Sequence, residues 1–191
     1  MASFNIATFL LLLASAAAFG AAAGAEITTH LHFFFHDIVT PRQNATAVRV
    51  ADGPSPTARP PEEISFGDIY VLDDLLTEGL DAASSAVVGR AQGYYMVASL
   101  QMDPPYLALL MSVNLVFTAG KYSGSTLTVL GRDAMFDEVR EYPVVGGSGA
   151  FRMARGYALM KTDQFDMATG NAILEWDIHV IHNEWIGAGC P

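Results

Sequence analysis

The chain has 191 residues, of which 51% are hydrophobic and 16% are charged, and its formal net charge is −10. This length suits one domain with a substantial hydrophobic core, and the apolar content is too high for an intrinsically disordered chain. An acidic chain without clustered Lys and Arg does not suit a phosphate backbone, which excludes nucleic acid as a partner. The single cysteine, Cys190, excludes an intramolecular disulfide and a cysteine-rich zinc site.

The N-terminus has the pattern of a secretory signal peptide. Residues 6–19 form an apolar run, and small residues follow it as far as Ala25. Because the run is shorter than the roughly 20 residues that span a bilayer, we predict cleavage before Glu26 rather than a membrane anchor. The expected organisation is a signal peptide over residues 1–25 and one domain over residues 26–191, secreted to the extracellular space (the apoplast) without membrane association.

A short motif near the start of the predicted domain is relevant if the protein is secreted. Asn44-Ala45-Thr46 is an N-glycosylation sequon, and the secretory route is where such sequons are modified. We therefore predict a glycan on Asn44, in a surface loop between two strands.

Taken in chain order, the rest of the sequence predicts β-strands. Runs rich in aromatic and β-branched residues alternate with Pro- and Gly-containing turns. The predicted strands are residues 30–40, 64–72, 87–101, 106–118, 125–131, 151–161 and 172–182. Residues 75–86 are expected to form a short helix or a loop, and no long amphipathic helix is predicted. Many short strands without helices favour an all-β antiparallel barrel or sandwich.

Two of these strands show how the sheet would be covered. In residues 172–182, Trp176 and Ile178 fall on one face while Glu175, Asp177 and His179 fall on the other, which predicts an inner apolar face and an acidic face towards solvent. Residues 106–118 are apolar on both faces. In a barrel, the outer face of such a strand would be buried by a partner subunit.

The first predicted strand carries a carboxylate on an aromatic face. Alternation places Phe33, Phe35 and Asp37 together. In an apolar cavity the pKa of Asp37 would be raised, which suits a general acid or base. Alternatively, Asp37 ends the strand and accepts hydrogen bonds from nearby backbone amides, and the local pattern by itself favours this second interpretation.

The same strand raises the question of a metal site. His30, His32 and His36 share a face by parity, and a His-x-His pair on a strand occurs in cupin-type metal sites. Such a site also needs a carboxylate and a further His downstream. No Glu follows at short spacing, and His179 and His182 differ in parity, so we predict no metal.

Six segments, in order, resemble the dirigent protein family of plants. They are FHDI at residues 35–38, GRAQGYY at 89–95, YSGSTL at 122–127, GRD at 131–133, PVVGGSG at 143–149 and FRMARGY at 151–157. The resemblance runs from about His30 to His182. It implies a secreted, glycosylated, eight-stranded antiparallel β-barrel with a central apolar cavity, no cofactor, and usually a homotrimeric assembly.

The resemblance also implies an activity. Family members direct the regio- and stereoselective coupling of phenoxy radicals of the monolignol type, such as those of coniferyl alcohol, in phenylpropanoid and lignan biosynthesis. A separate laccase or peroxidase makes those radicals. Two alternatives remain open: a cyclase or dehydratase that acts through a quinone methide without an oxidant, and a non-catalytic phenolic-binding protein of the cell wall. The first activity predicts a non-oxidative auxiliary protein that directs stereochemistry, whereas the cyclase alternative would make the chain an enzyme of the isomerase or lyase type.

Site residues carry over from the family to matching positions. The resemblance implies catalytic roles for Asp37, Asp133 and Arg140, and substrate-binding roles for Tyr95, Asp73 and Phe35. A protonated Asp would donate to a quinone methide oxygen, and an ionised one would take a hydroxyl proton. Arg140 would orient a phenolic oxygen or keep a neighbouring carboxylate ionised.

Simpler roles for the same residues remain open. Arg140 is next to Glu141 and is compatible with a surface ion pair, Tyr95 with ordinary barrel core, and Asp133 with capping a turn.

Two departures from the family pattern bear on the substrate. Cys190 has no partner for the disulfide typical of pinoresinol-forming members, and Pro143 is more typical of the broader dirigent-like group.

Overall fold

In a computed structural model, which describes residues 25–54 and 63–184, strands account for most of the chain. The described residues form nine strands, which are β1 (Glu26–Asp37), β2 (Ala47–Ala51), β3 (Ile69–Thr77), β4 (Val87–Val97), β5 (Ala108–Phe117), β6 (Thr126–Ala134), β7 (Arg140–Ser148), β8 (Arg155–Phe165) and β9 (Ala172–Asn183). Two single-turn 3₁₀ helices, Gly120–Tyr122 and Gly149–Phe151, interrupt them. The predicted signal peptide, apart from Ala25, and Cys190 lie outside the described residues.

The sheet closes on itself. Its strands run in the order β1-β9-β8-β7-β6-β5-β4-β3, all paired antiparallel, and β3 then pairs back to β1. Three residue pairs make the closure: Phe34 with Thr77, Phe35 with Leu76, and His36 with Leu75. The predicted eight-stranded antiparallel barrel is confirmed, and the short strand β2 is added beside the first half of β3.

Sequence patterns missed β2 and β7, and the reason is clear for β7. β7 contains Pro143, which has no N–H to donate within the sheet, and Gly146 and Gly147 come soon after it. These residue types predict a turn rather than a strand. In the barrel, Val144 and Gly146 pair with consecutive residues of β6, so Val145 is an extra residue that bulges from the ladder. Pairing with both neighbouring strands thus overrides the local turn signals.

The end of β3 is a second difference between expectation and structure. Residues 75–77, expected in a short helix or loop, continue β3 because they make the closing pairs with β1. The remaining part of the predicted helix or loop forms turns. Among the described residues, no helix is long and apolar enough to cross a membrane.

The centre of the barrel is aromatic. Trp176 is fully buried and stacks on Phe33, Phe35 and Tyr142, with ring centroids 6.5, 5.9 and 5.3 Å away. The inward and outward assignments made for the last strand hold, because Trp176 is buried while its neighbours Glu175 and Asp177 are partly exposed. Stacked aromatic rings of this size supply much of the energy of a small core.

Polar side chains enter the interior near one end of the barrel. Because neighbouring strands are antiparallel, the last residues of β1, β4 and β6 and the first residues of β7 lie at the same end. Asp37, Tyr95, Asp133 and Arg140 occupy those positions. Each is in phase with buried residues of its own strand, so alternation turns all four inward.

Candidate functional site

The first of two polar clusters lies where β1, β3 and β4 meet. Asp74, on β3, has no solvent exposure, and one oxygen of Asp37 is also fully buried. The rings of Tyr70 and Tyr95, which are register partners on β3 and β4, stack with their centroids 4.9 Å apart. The Thr46 hydroxyl donates a hydrogen bond to Asp74 Oδ1. We call Asp37 and Asp74 the carboxyl pair.

The environment keeps the carboxyl pair partly protonated. Burial raises the pKa of Asp37 to about 7, against a smaller opposing effect of a hydrogen bond from the Tyr95 hydroxyl. Burial, reinforced by the negative charge of Asp37, raises the pKa of Asp74 to about 8. Because each ionised carboxylate disfavours ionisation of the other, the two groups titrate together. Near neutral pH the pair can both give and accept a proton.

The second cluster lies where β6, β7 and β8 meet. Arg140 is almost completely buried, with its Nε 3.3 Å from Asp133 Oδ1. Its Nη1 donates to the carbonyl oxygen of Met135 at 3.1 Å, and its Nη2 donates to Thr162 Oγ1 at 2.8 Å. Burial raises the pKa of Asp133, while the positive charge of Arg140 acts in the opposite direction. A guanidinium is thereby held inside the barrel beside a carboxyl group.

Buried polar atoms without a good hydrogen bond occur in both clusters and in the aromatic centre. Within residues 25–54 and 63–184, six buried side-chain atoms form no hydrogen bond of good geometry: Asp37 Oδ1, Asp74 Oδ2, Asp133 Oδ1, Arg140 Nε, Tyr142 Oη and Trp176 Nε1. Two of them, Arg140 Nε and Asp133 Oδ1, still attract each other as an ion pair at 3.3 Å, and the Tyr142 hydroxyl also interacts with Asp133. Every one of the six belongs to a side chain on the inner face of the barrel. Buried polar atoms in folded proteins are almost always paired, so such a concentration calls for an explanation. Donors and acceptors lining an aromatic interior suit a small aromatic ligand that carries hydroxyl groups.

The four inward-facing residues that the resemblance implied lie at the same end of the barrel and form two clusters. Asp37 and Tyr95 fall in the first cluster, and Asp133 and Arg140 fall in the second. Phe35 is buried on the inner face and packs on Trp176, so it belongs to the wall of the barrel.

Asp73 takes a different place from the one expected for a substrate-binding residue. Its carboxyl group is on the outer surface, with the side chain 54% exposed, and pairs with Arg90 at 2.5 Å. Its neighbour Asp74 has the inward position instead. A shift of one residue along a strand moves a side chain to the opposite face. Which residues of β3 face inward becomes clear only when residues 75–77 are recognised as part of that strand.

Sequence reasoning also missed several site residues. They are Asp74, Tyr70, Thr46, Tyr142 and Thr162. Alternation of Tyr70, Leu72, Asp74 and Leu76 would have revealed the first two, had β3 been extended to its full length. Thr46 and Thr162 carry no local signal, because each reaches its partner from a distant part of the chain.

The three histidines of β1 do not act together. His36 is buried, and its Nε2 lies 2.7 Å from Thr77 Oγ1, which in turn donates to the carbonyl oxygen of Gly79. His30 and His32 face outward, away from both clusters. Asn44 is exposed in the turn that joins β1 to β2, where a glycan could be accommodated.

Comparisons with known proteins agree with this architecture. A protein-family model described as "Dirigent-like protein" matches residues 28–181. Dirigent protein 21 of Arabidopsis thaliana is 47% identical over 154 residues, which is 81% of this chain and 77% of that protein. Pterocarpan synthase 1 of Glycine max is 42% identical over 159 residues, which is 82% of this chain and 80% of that protein.

A solved structure extends the comparison to three dimensions. The structure of a pterocarpan synthase dirigent protein has a TM-score of 0.77 and 39% sequence identity, and the match covers 86% of this chain and 96% of the other. The resemblance and the barrel fold drawn from the sequence are therefore both confirmed.

The carboxyl pair predicts how stability depends on pH. The pKa of each group is higher in the folded protein than its ordinary value of 3.8, so the folded state binds more protons between about pH 4 and pH 8. The free energy of unfolding should therefore fall as pH rises through this window. Asp74→Asn should remove part of this fall. Between pH 4 and pH 8, the free energy of unfolding of Asp74→Asn should therefore decrease by at least about 2 kcal/mol less than that of the wild type.

Urea unfolding at a series of pH values measures this effect. Asp163→Asn, on the exposed part of β8, is the control and should leave the slope of stability against pH unchanged. A slope that is the same for the wild type and Asp74→Asn would show that Asp74 is not held protonated in the fold.

Proposed function

Because this chain belongs to the dirigent family, we propose that its barrel interior binds a phenolic compound and closes a ring on it through a quinone methide. The observation that carries this proposal is the carboxyl pair, whose pKa values of about 7 and 8 place a transferable proton in an aromatic interior. Among the activities implied by the resemblance, acid–base ring closure makes the fullest use of these groups.

The reaction needs a proton donor and a proton acceptor but no oxidant. A protonated carboxyl of the pair gives its proton to a benzylic hydroxyl, which leaves as water, while the phenolic hydroxyl loses its proton to a carboxylate. The product of this step is a quinone methide. A second hydroxyl of the same molecule then attacks the benzylic carbon, and its proton restores the phenol. The net change is the loss of one water molecule.

The second cluster suits the other end of such a substrate. The Arg140 guanidinium and the Tyr142 hydroxyl, both buried beside Asp133, are donors on the inner face of the barrel. They can turn towards the oxygen that gains negative charge when the phenol ionises. Asp133 beside Arg140 keeps the guanidinium in place and can accept a proton when ionised. The stacked Tyr70 and Tyr95 rings offer a flat wall for an aromatic ring.

The names of two relatives and of two solved structures point the same way. Proteins called pterocarpan synthases occur both among the relatives at 42% identity and among the solved structures at 39–40% identity. Their names describe synthases rather than coupling auxiliaries. We take them as support for a ring-forming activity in this chain, without assigning it the same substrate.

The carboxyl pair is tested by removing one acid at a time. Asp37→Asn and Asp74→Asn should each lower the rate of ring closure by about 100-fold or more, because an amide cannot transfer the proton. The assay follows loss of water and formation of the cyclic ether, by mass spectrometry and chiral chromatography, from a panel of racemic ortho-hydroxybenzyl alcohols with a second phenolic hydroxyl. Asp73→Asn, one residue away but on the outer surface, is the matched control and should retain the wild-type rate.

The outcomes separate the alternatives. Equal rates for Asp74→Asn and wild type, on any substrate that the wild type cyclises, would contradict the assigned role of the pair. The wild-type rate should also fall as pH rises beyond about 8, where the pair loses its last proton.

Guided coupling of phenoxy radicals remains a second candidate, favoured by the aromatic lining of the interior. Two rings held with chosen faces together need no proton transfer, and an energy difference of about 2 kcal/mol between poses gives roughly thirty-fold selectivity. In this case a laccase or peroxidase would supply the radicals, for example from coniferyl alcohol. We expect this activity, if present, to survive the Asp→Asn substitutions.

Chiral chromatography measures the coupling directly. Pinoresinol formed by a laccase from coniferyl alcohol is analysed with the protein present and with an inert protein at equal mass. An enantiomeric excess that appears only with this chain, and persists in Asp74→Asn, would favour coupling over ring closure. A racemate would remove coniferyl alcohol as the substrate.

We further propose that the protein is secreted, glycosylated on Asn44, and assembled as a homotrimer. The outer surface supports the assembly, because Val48, Val71, Tyr94, Ser112 and Leu130 are register partners that form one continuous row across β2 to β6. The four apolar side chains of this row are 38–46% exposed in the single chain. Partner barrels would cover them.

Sedimentation of the glycosylated protein tests this assembly. The wild type should sediment as a trimer, and Tyr94→Glu should shift it to the monomer by placing a charge in the centre of the row. His179→Glu, on the opposite wall of the barrel, should leave the trimer intact. Monomeric wild type at micromolar concentration would contradict the proposal.

A further inference from the structure

Histidine and carboxylate side chains meet on the outer wall of the barrel where β1 pairs with β9. In this ladder His32 is opposite Asp177, and His30 is opposite His179. Alternation turns these side chains outward, because Phe33 and Trp176 between them point into the core. The cluster therefore lies on the opposite side of the sheet from the carboxyl pair, and the proposed function does not use it.

The side chains in this place are already in contact. His30 Nε2 lies 2.8 Å from Asp177 Oδ1, and His32 Nε2 lies 2.9 Å from Glu175 Oε1. One ligand atom from each of His32, Glu175 and Asp177 can be chosen so that all three lie within 4.8 Å of one another. Ligand atoms around a tetrahedral zinc ion, at bond lengths of about 2.0–2.2 Å, are separated by about 3.4 Å. Small rotations of these partly exposed side chains would bring the three atoms to that separation.

The histidine spacing on β1 by itself predicted no metal, but pairing with β9 adds two carboxylates, and we propose that His32, Glu175 and Asp177 form a binding site for a divalent transition-metal ion of the Zn²⁺ type. One imidazole and two carboxylates suit zinc and its neighbours, whereas Mg²⁺ and Ca²⁺ prefer oxygen ligands throughout. The ion takes the lone pair of His32 Nε2 from the neutral ring, whose proton is then on Nδ1. Water completes the coordination, because the three side chains are 32–39% exposed and solvent reaches them directly.

Neighbouring side chains would support the ion without binding it. His30 holds Asp177 by the contact at 2.8 Å, and a hydrogen bond to a ligating carboxylate fixes its orientation. His30 in turn stacks on His179, with ring centroids 4.7 Å apart, and His179 stacks on Tyr157 of β8 at 5.1 Å. This row of rings restricts the rotamers of His30, so part of the site is organised in advance.

The site joins the two ends of the chain's fold. His32 and Glu175 are 143 residues apart in sequence, and the ion would link the first strand to the last. An ion that binds the folded chain and not the unfolded one stabilises the fold. We therefore expect the bound ion to act on barrel stability, with no requirement for it in the interior chemistry.

The experiment uses the protein after removal of any affinity tag, titrated with ZnCl₂ in an isothermal calorimeter. One ion per chain should bind, with MgCl₂ producing no comparable heat. His32→Ala and Asp177→Asn should each weaken binding by about tenfold or more. His179→Ala, which removes a neighbouring imidazole outside the ligand set, should leave the affinity within about threefold of the wild type, allowing only for looser support of His30.

A second readout does not depend on calorimetry. Zn²⁺ should raise the thermal unfolding midpoint of the wild type and of His179→Ala, but not that of His32→Ala. Circular dichroism checks that each variant is folded. Zinc binding that is equal in wild type and His32→Ala, or equal loss in His32→Ala and His179→Ala, would overturn the assigned ligands. No zinc-specific binding by the folded wild type would overturn the site itself.

Discussion

Closure of the sheet by the short pairing of β1 with β3 is the constraint on which the rest of this structure depends. Only three residue pairs make this contact, the last being His36 with Leu75, and continuing the same register brings Asp37 and Asp74 opposite each other. Closure also removes both carboxyl groups from water, which is the main cause of their raised pKa values. An open sheet would leave two ordinary solvated aspartates at its edges.

The interior combines groups with opposite effects on stability. The aromatic centre around Trp176 favours the folded barrel, whereas the carboxyl pair and the buried Arg140–Asp133 ion pair lie in places where polar groups are costly. Such costs often persist where function requires them, and here they occur at the end of the barrel where we propose that a phenol binds. The outer wall differs, because its His30–Asp177 and His32–Glu175 contacts are satisfied and open to water.

Local patterns predicted much of the fold and only part of the site. Runs of aromatic and β-branched residues between turn signals identified most strands. Alternation placed Phe35 and Asp37 on one face of the first strand, and the resemblance pointed to Tyr95, Asp133 and Arg140. Alternation did not recognise β7, because Pro143 and the following glycines resemble a turn until β6 and β8 pair with them. Asp74 was missed in favour of Asp73 because parity on β3 depends on where that strand ends.

The amino-acid sequence by itself determined the strand periodicity, the aromatic composition of the core and the family, since these follow from residue types at short spacing. Only the tertiary structure decided which carboxylates share an environment. Asp37 meets Asp74, and His32 meets Glu175, across separations of many residues that no local pattern records. The physical reason is that a pKa or a ligand set depends on what surrounds a group in space, and in a closed barrel those neighbours come from strands distant in the chain.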